Sequence, residues 1–268
     1  MKLSINFLRE VRWTSLHVVA LLVIGLGVYG VISFFIGLVQ TNPFVSDLIT
    51  NHVFWNDQRL TPEKALEQLT KGYSGNFATV IAFTVFMIFL SVHYFSVLRG
   101  LYFHAPLPSI IAFLFLGGSV LFGLLVGLAL VRVNEFAFQV ASAGVEQKEW
   151  LRTGIGFLIQ IHLIFVYGWL LCTGLGWIFV GSGTFRGSQW LRRIGAVELV
   201  AGSMVVTSVI ADAWMPMYGE KAPRFAEFLS GDLFGVGISL GLLASGVLFW
   251  LLKTQQYENN KHDGHNGK

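Results

Sequence analysis

Residues 107–131 read LPSIIAFLFLGGSVLFGLLVGLALV and contain no charged side chain. A run of about 20 apolar residues is long enough for a helix to cross the hydrocarbon core of a bilayer. Lipid offers no hydrogen-bond partners, so a segment that crosses it must satisfy its own backbone groups, as an α-helix does. The stretch therefore predicts a transmembrane helix.

Similar apolar runs recur along the 268 residues, of which 54% are hydrophobic and only 12% are charged. A soluble domain usually carries about twice that share of charge. We predict an all-α, polytopic transmembrane bundle of about six helices, each long enough to cross a bilayer. Its spans are residues 14–39, 75–97, 107–131, 154–180, 194–213 and 232–252.

The N-terminal span is apolar, whereas the C-terminal residues are polar. The first apolar run is too long for the core of a cleaved signal peptide, so we expect it to remain as a helix. Residues 1–252 then form a single transmembrane domain. Residues 253–268 are polar, and we expect them to be a disordered cytoplasmic tail.

The basic residues predict the orientation, because Lys and Arg concentrate on the cytoplasmic side of a membrane. With the N-terminus inside, the short inner segments are the denser in positive charge; they contain Lys2, Arg9, Arg12, Arg99, Arg186, Arg192, Arg193, Lys253, Lys261 and Lys268. The outer segments 40–74, 132–153 and 214–231 are longer and hold most of the acidic residues. Both termini are therefore expected inside.

Two of the outer segments have sequence features that predict their structure. Thr61 and Pro62 suit the cap and the first position of a short surface helix that ends near Gly72. Residues 132–153 mix aromatic and charged side chains, which is typical of a segment at the membrane interface.

Two histidines are predicted to lie at similar depth on neighbouring antiparallel helices. His17 is about one turn inside the first span, and His93 is about one turn before the end of the second. This arrangement is compatible with two axial ligands of the iron of one haem b, and Arg12 and Arg99 could pair with its propionates. The alternative is that each histidine hydrogen-bonds to a neighbouring helix or reaches the interface.

Other ionisable residues in or beside the spans are candidates for proton or quinone chemistry, because such residues are costly in lipid. His162 lies nearer mid-membrane, and Glu198 is about one turn inside the fifth span. His162 could instead be structural, and Glu198 could form a local ion pair with Arg192 or Arg193. Asp212 lies at the outer end of the fifth span, where the interface can accommodate it at little cost, and His104 lies at the entrance of the third.

Several classes of function are excluded by the residues that the chain lacks. Cys172 is the only cysteine, which rules out an intrachain disulfide and a cysteine-ligated cluster. Neither a phosphate-binding GxxxxGK[ST] loop nor an HExxH zinc motif occurs. The basic residues lie beside spans, so we expect no nucleic-acid partner.

One short stretch resembles a known family. His93 is followed by Arg99-Gly100-Leu101-Tyr102-Phe103 and then by Pro106 and Pro108. This is similar to the end of a haem-ligating helix in b-type cytochrome membrane subunits, although the chain lacks the paired histidines of an ordinary cytochrome b. The resemblance implies a haem-binding subunit of a respiratory complex in a bacterial or archaeal cytoplasmic membrane.

Two hypotheses follow. In the first, the chain is the membrane subunit of an oxidoreductase complex that binds haem b, quinone or both, and exchanges electrons with a partner subunit. In the second, it is a cofactor-free scaffold or assembly subunit, or a small transporter. No segment is large enough for a soluble catalytic domain, so we expect partner subunits under the first hypothesis.

Overall fold

The computed structural model describes residues 18–32, 73–185, 187–214 and 233–265, and these residues are almost entirely α-helical. The predicted surface helix after Thr61 lies outside them, as do residues 1–17. The helices of the described part are α1 Val18–Ile32, α2 Tyr73–Tyr102, α3 Pro106–Ser142, α4 Val145–Thr184, α5 Gln189–Trp214 and α6 Leu233–His265.

The predicted helical transmembrane bundle is confirmed. Helices α2 to α6 are each long and apolar enough to cross a membrane, and α1 is a shorter apolar helix inside the first predicted span. Large apolar side chains remain exposed along these helices, among them Leu114, Leu128, Phe157 and Ile164. In a bilayer such side chains face lipid, so the protein is an integral membrane protein.

The described residues form two compact units. The first unit contains α1, residues 89–117, residues 171–214 apart from 186, and α6. The second contains residues 73–88 and 118–170.

In the second unit, the segment predicted to lie at the interface is a helical hairpin. Helix α3 continues to Ser142 and α4 begins at Val145, so only two residues separate them. The buried side chains of Val133, Val140, Leu151 and Ile155 form a small core of their own. Both helices continue beyond the predicted spans here, because charged residues lower the hydropathy while the helical apolar stripe continues.

In the first unit, α4 and α5 cross with their backbones close together. A Cβ atom at Gly174 would lie 2.9 Å from the carbonyl oxygen of Gly202, and one at Gly195 would lie 2.8 Å from that of Gly181. Small residues permit such crossings in membranes. The crossing brings the inner faces of the two helices together over several turns.

Helix α6 packs against α5 and extends to His265, into the tail that we expect to be disordered. Residues 253–263 contain neither proline nor glycine, so nothing in that stretch breaks the helix.

Candidate functional site

His93 is buried in the first unit and is hydrogen-bonded to another helix. Its Nε2 atom lies 3.1 Å from Oγ of Ser245 on α6. Ser245 Oγ also lies 3.2 Å from the carbonyl oxygen of Leu242, to which it donates. His93 Nε2 is therefore the donor in its pair with Ser245, and the ring packs against Tyr94 and Phe249.

This packing bears on the predicted haem. Ser245 occupies the position next to His93 Nε2 that an iron atom would take, and Phe249 lies against the ring with 5.8 Å between centroids. The residues as packed do not fit a haem bound through this nitrogen. His17 and Arg12 lie outside the described residues, so ligation by the His17–His93 pair stays a prediction.

Glu198 on α5 is fully buried, and neither of its carboxyl oxygens has a hydrogen-bond partner in the described part of the chain. The alternative ion pair with a neighbouring arginine is not formed. Arg192 Nε instead donates to the carbonyl oxygen of Gly187, and Arg193 lies over the ring of Trp190. Both arginines are exposed, whereas Glu198 faces the bundle interior.

Two further buried polar side chains lie at a similar depth to this carboxyl group. Tyr94 on α2 interacts electrostatically with Glu198 and lies beside the indole of Trp177 on α4. The Tyr94 hydroxyl and the Trp177 Nε1 atom are both buried, and neither makes a hydrogen bond of good geometry within the described residues. A buried polar group without a bond is unusual and calls for an explanation.

These residues form what we call the polar layer: His93, Tyr94, Trp177, Glu198 and Ser245. Each lies seven to nine residues from the nearer end of its apolar span, which for α6 ends at Leu252. At a rise of about 1.5 Å per residue, the layer is about 10–14 Å inside the helix ends. It therefore lies within the apolar part of the first unit rather than at its edge.

The position of Trp177 depends on a glycine. A Cβ atom at Gly241 on α6 would collide with the six-membered ring of the Trp177 indole. The glycine thus leaves the space that this ring fills beside Tyr94. Gly237, one turn earlier on α6, also lies close to another helix, since a Cβ atom there would lie 2.9 Å from Cβ of Met204 on α5.

The remaining predicted site residues lie elsewhere. Arg99 is exposed near the end of α2, and His104 is exposed in the turn before α3. Asp212 is buried near the other end of α5 and makes an interaction of its own. His162 belongs to the second unit, where its ring lies close to the backbone of Val126; its role stays a prediction.

The sequence singles out His93 and Glu198 as candidates but not Tyr94, Trp177 or Ser245. These three residue types are common in membrane helices, so their positions in the sequence do not distinguish them. A usable signal was the seven-residue spacing of Gly174 with Gly181 and of Gly195 with Gly202, which marks the crossing that brings α4 and α5 together.

Among the described residues, no group of three or more His, Cys, Asp and Glu side chains is placed to hold a metal ion. No family model matches the chain, and neither the curated proteins nor the solved structures include one with significant similarity to it.

Proposed function

We propose that this chain is a membrane subunit of an electron-transfer complex, and that it handles the protons that accompany quinone reduction or oxidation. The observation that supports this is Glu198, a carboxyl group buried in a membrane helix without a cation or a hydrogen-bond donor among the described residues. Ionisable side chains at such positions are rare, and they mark proton or ion pathways.

The proposed chemistry needs a proton carrier and an electron source. Reduction of a quinone to a quinol consumes two electrons and two protons. A redox centre in a partner subunit supplies the electrons, and Glu198 delivers protons and is reprotonated from the aqueous side. The Tyr94 hydroxyl has no hydrogen-bond partner among the described residues, so it is available as a donor to the carboxylate that forms when Glu198 loses its proton.

Partner subunits and location belong to the same proposal. The described part of the chain contains no extramembrane catalytic domain, so substrate oxidation falls to another subunit. Complexes of this kind work in energy-conserving membranes, and we place this one in a bacterial or archaeal cytoplasmic membrane. Haem is not required for the proton-handling role.

A second candidate is the cofactor-free scaffold or small transporter, and one observation favours it. The hydrogen bond between His93 and Ser245 satisfies the histidine within the chain. A buried histidine that is hydrogen-bonded within the protein can have a purely structural role. The first candidate is preferred because Glu198, unlike His93, has no hydrogen-bond partner among the described residues that would explain its burial.

The test is a matched pair of charge-neutral variants in the intact complex. Glu198→Gln keeps the size and polarity of the side chain but cannot carry the proton, and Asp212→Asn makes the same change on the same helix. We expect Glu198→Gln to lower the reduction of a short-chain quinone by an artificial electron donor about 100-fold, which is typical of a lost acid–base group. Asp212→Asn should retain activity.

The complex must be assembled for this comparison, so the copurifying subunits are identified for each variant. Equal activity of wild type and Glu198→Gln would contradict the proposed role. A chain that purifies alone, without quinone-dependent activity, would favour the scaffold or transporter.

A further inference from the structure

A groove on the outside of the first unit lies where α2 ends and α3 begins. Its volume is about 270 Å³, and its lining includes Phe95, Arg99, Tyr102, Phe103, Ile110 and Phe113. Clefts for drug-sized ligands usually measure roughly 300–1,000 Å³. The groove is therefore suited to a slender chain rather than to a macrocycle such as a porphyrin.

The groove combines an apolar wall with a single positive charge. Arg99 is exposed and makes no ion pair with any described residue. Tyr102 and Phe103 are exposed beside it, and aromatic residues at helix ends are typical of the headgroup level of a membrane. The charge therefore lies where a lipid phosphate would be, and the apolar wall continues toward the hydrocarbon region.

The positive charge comes from the side chain and not from the start of α3. Pro106 and Pro108 have no N–H group, and the N–H group of Ser109 donates to the carbonyl oxygen of Ala105. Few backbone donors are left there for an anion. A planar guanidinium group, by contrast, can bind two phosphate oxygens at once.

We propose that this groove is a binding site for one anionic phospholipid. Its phosphate group contacts Arg99, and one acyl chain lies along Phe95, Ile110 and Phe113. The choice of a phospholipid rests on charge complementarity and on the position of Arg99 at the end of an apolar groove. This site is independent of the proton chemistry proposed for Glu198.

The test compares phosphatidylglycerol with phosphatidylcholine of the same acyl chains, added to the purified protein in mild detergent and measured by native mass spectrometry. Wild type should retain phosphatidylglycerol in preference. Arg99→Gln should reduce that preference about fivefold, since one basic residue near a membrane surface contributes roughly that factor. The matched control Arg193→Gln removes an exposed charge that lies outside the groove, and it should leave the preference unchanged.

Ile110→Trp provides a second variant that keeps the charge and fills the groove. It should lower retention of both lipids, because the acyl chain loses its place. The proposal is overturned if Arg99→Gln does not weaken the preference for phosphatidylglycerol, or if Arg193→Gln weakens it equally. It is also overturned if Ile110→Trp leaves the retention of both lipids unchanged. All three positions are exposed, so the variants should fold.

Discussion

At the scale of single residues, the polar layer separates two kinds of buried group. His93 Nε2 donates a hydrogen bond to Ser245, so this buried nitrogen has a partner within the protein. The carboxyl oxygens of Glu198 have no hydrogen-bond partner among the described residues. Since leaving a buried polar group unbonded costs more than a made hydrogen bond contributes, the unsatisfied residue is where chemistry should be sought.

The partner of His93 gives a prediction about stability. Ser245→Ala leaves His93 Nε2 without its acceptor in the bundle interior, which should cost about 1–3 kcal/mol. Thermal unfolding in detergent, followed by circular dichroism, measures this as a lower midpoint. Ser208→Ala is the control, because within the described part of the chain that buried hydroxyl bonds only to the carbonyl oxygen of Met204 on its own helix.

The Ser208→Ala variant should stay close to the wild-type midpoint. If the two variants have the same midpoint, the bond between His93 and Ser245 does not stabilise the fold.

At the scale of helices, close approach decides where the side chains of the polar layer lie. Glycines on α4 and α5 let those backbones meet, and Gly241 on α6 makes room for Trp177. Side chains in such a core are packed to crystal-like density, so even one added carbon atom forces its neighbours to shift. The positions of Trp177 and Glu198 thus depend on residues that carry no chemistry.

The role of Gly241 can be tested with two substitutions on one helix. Gly241→Ala forces Trp177 to move and should destabilise the protein by about 1–3 kcal/mol, the usual cost of overpacking. It should also change the fluorescence of the displaced indole. At Gly235 an added methyl group meets no atom of the described residues within 4 Å.

Gly235→Ala is therefore the control, and it should raise stability by about 0.5–1 kcal/mol, because alanine favours the helix. If Gly241→Ala were stabilising too, the ring of Trp177 would not depend on that glycine.

At the scale of the whole molecule, the topology follows from the alternation of helices and the distribution of charge. With the N-terminus inside, the turn before α3 and the segment before α5 lie in the cytoplasm, and the turn between α3 and α4 lies outside. Fusions of alkaline phosphatase, which is active only outside, should therefore be inactive at His104 and Gly187 and active at Glu146. An active fusion at Gly187 would contradict the orientation.

The sequence was sufficient for the class of fold and for the approximate spans, because an apolar run of bilayer length has few alternatives. It was insufficient for the hairpin of α3 and α4. Arg132 and Glu135 lower the hydropathy there, yet they lie one turn apart and pair at 2.6 Å on the helix surface. Charges that satisfy each other in this way do not end a helix.

The candidate site was predictable only in part. Glu198 and His93 stand out because ionisable residues are rare in apolar runs. Ser245 and Trp177 do not stand out, and their roles appear only when α4 and α6 are packed against α2. Long-range contacts of this kind leave little trace in a single sequence.

Infrared difference spectroscopy of the membrane complex tests most directly whether Glu198 exchanges a proton during turnover, as we propose. Spectra of the quinone-oxidised and quinol-reduced states should differ in the C=O stretch of a protonated carboxyl group. That difference band should shift in ²H₂O, disappear in Glu198→Gln and persist in Asp212→Asn. A band that survives in Glu198→Gln, or that is absent from wild type, would contradict the account.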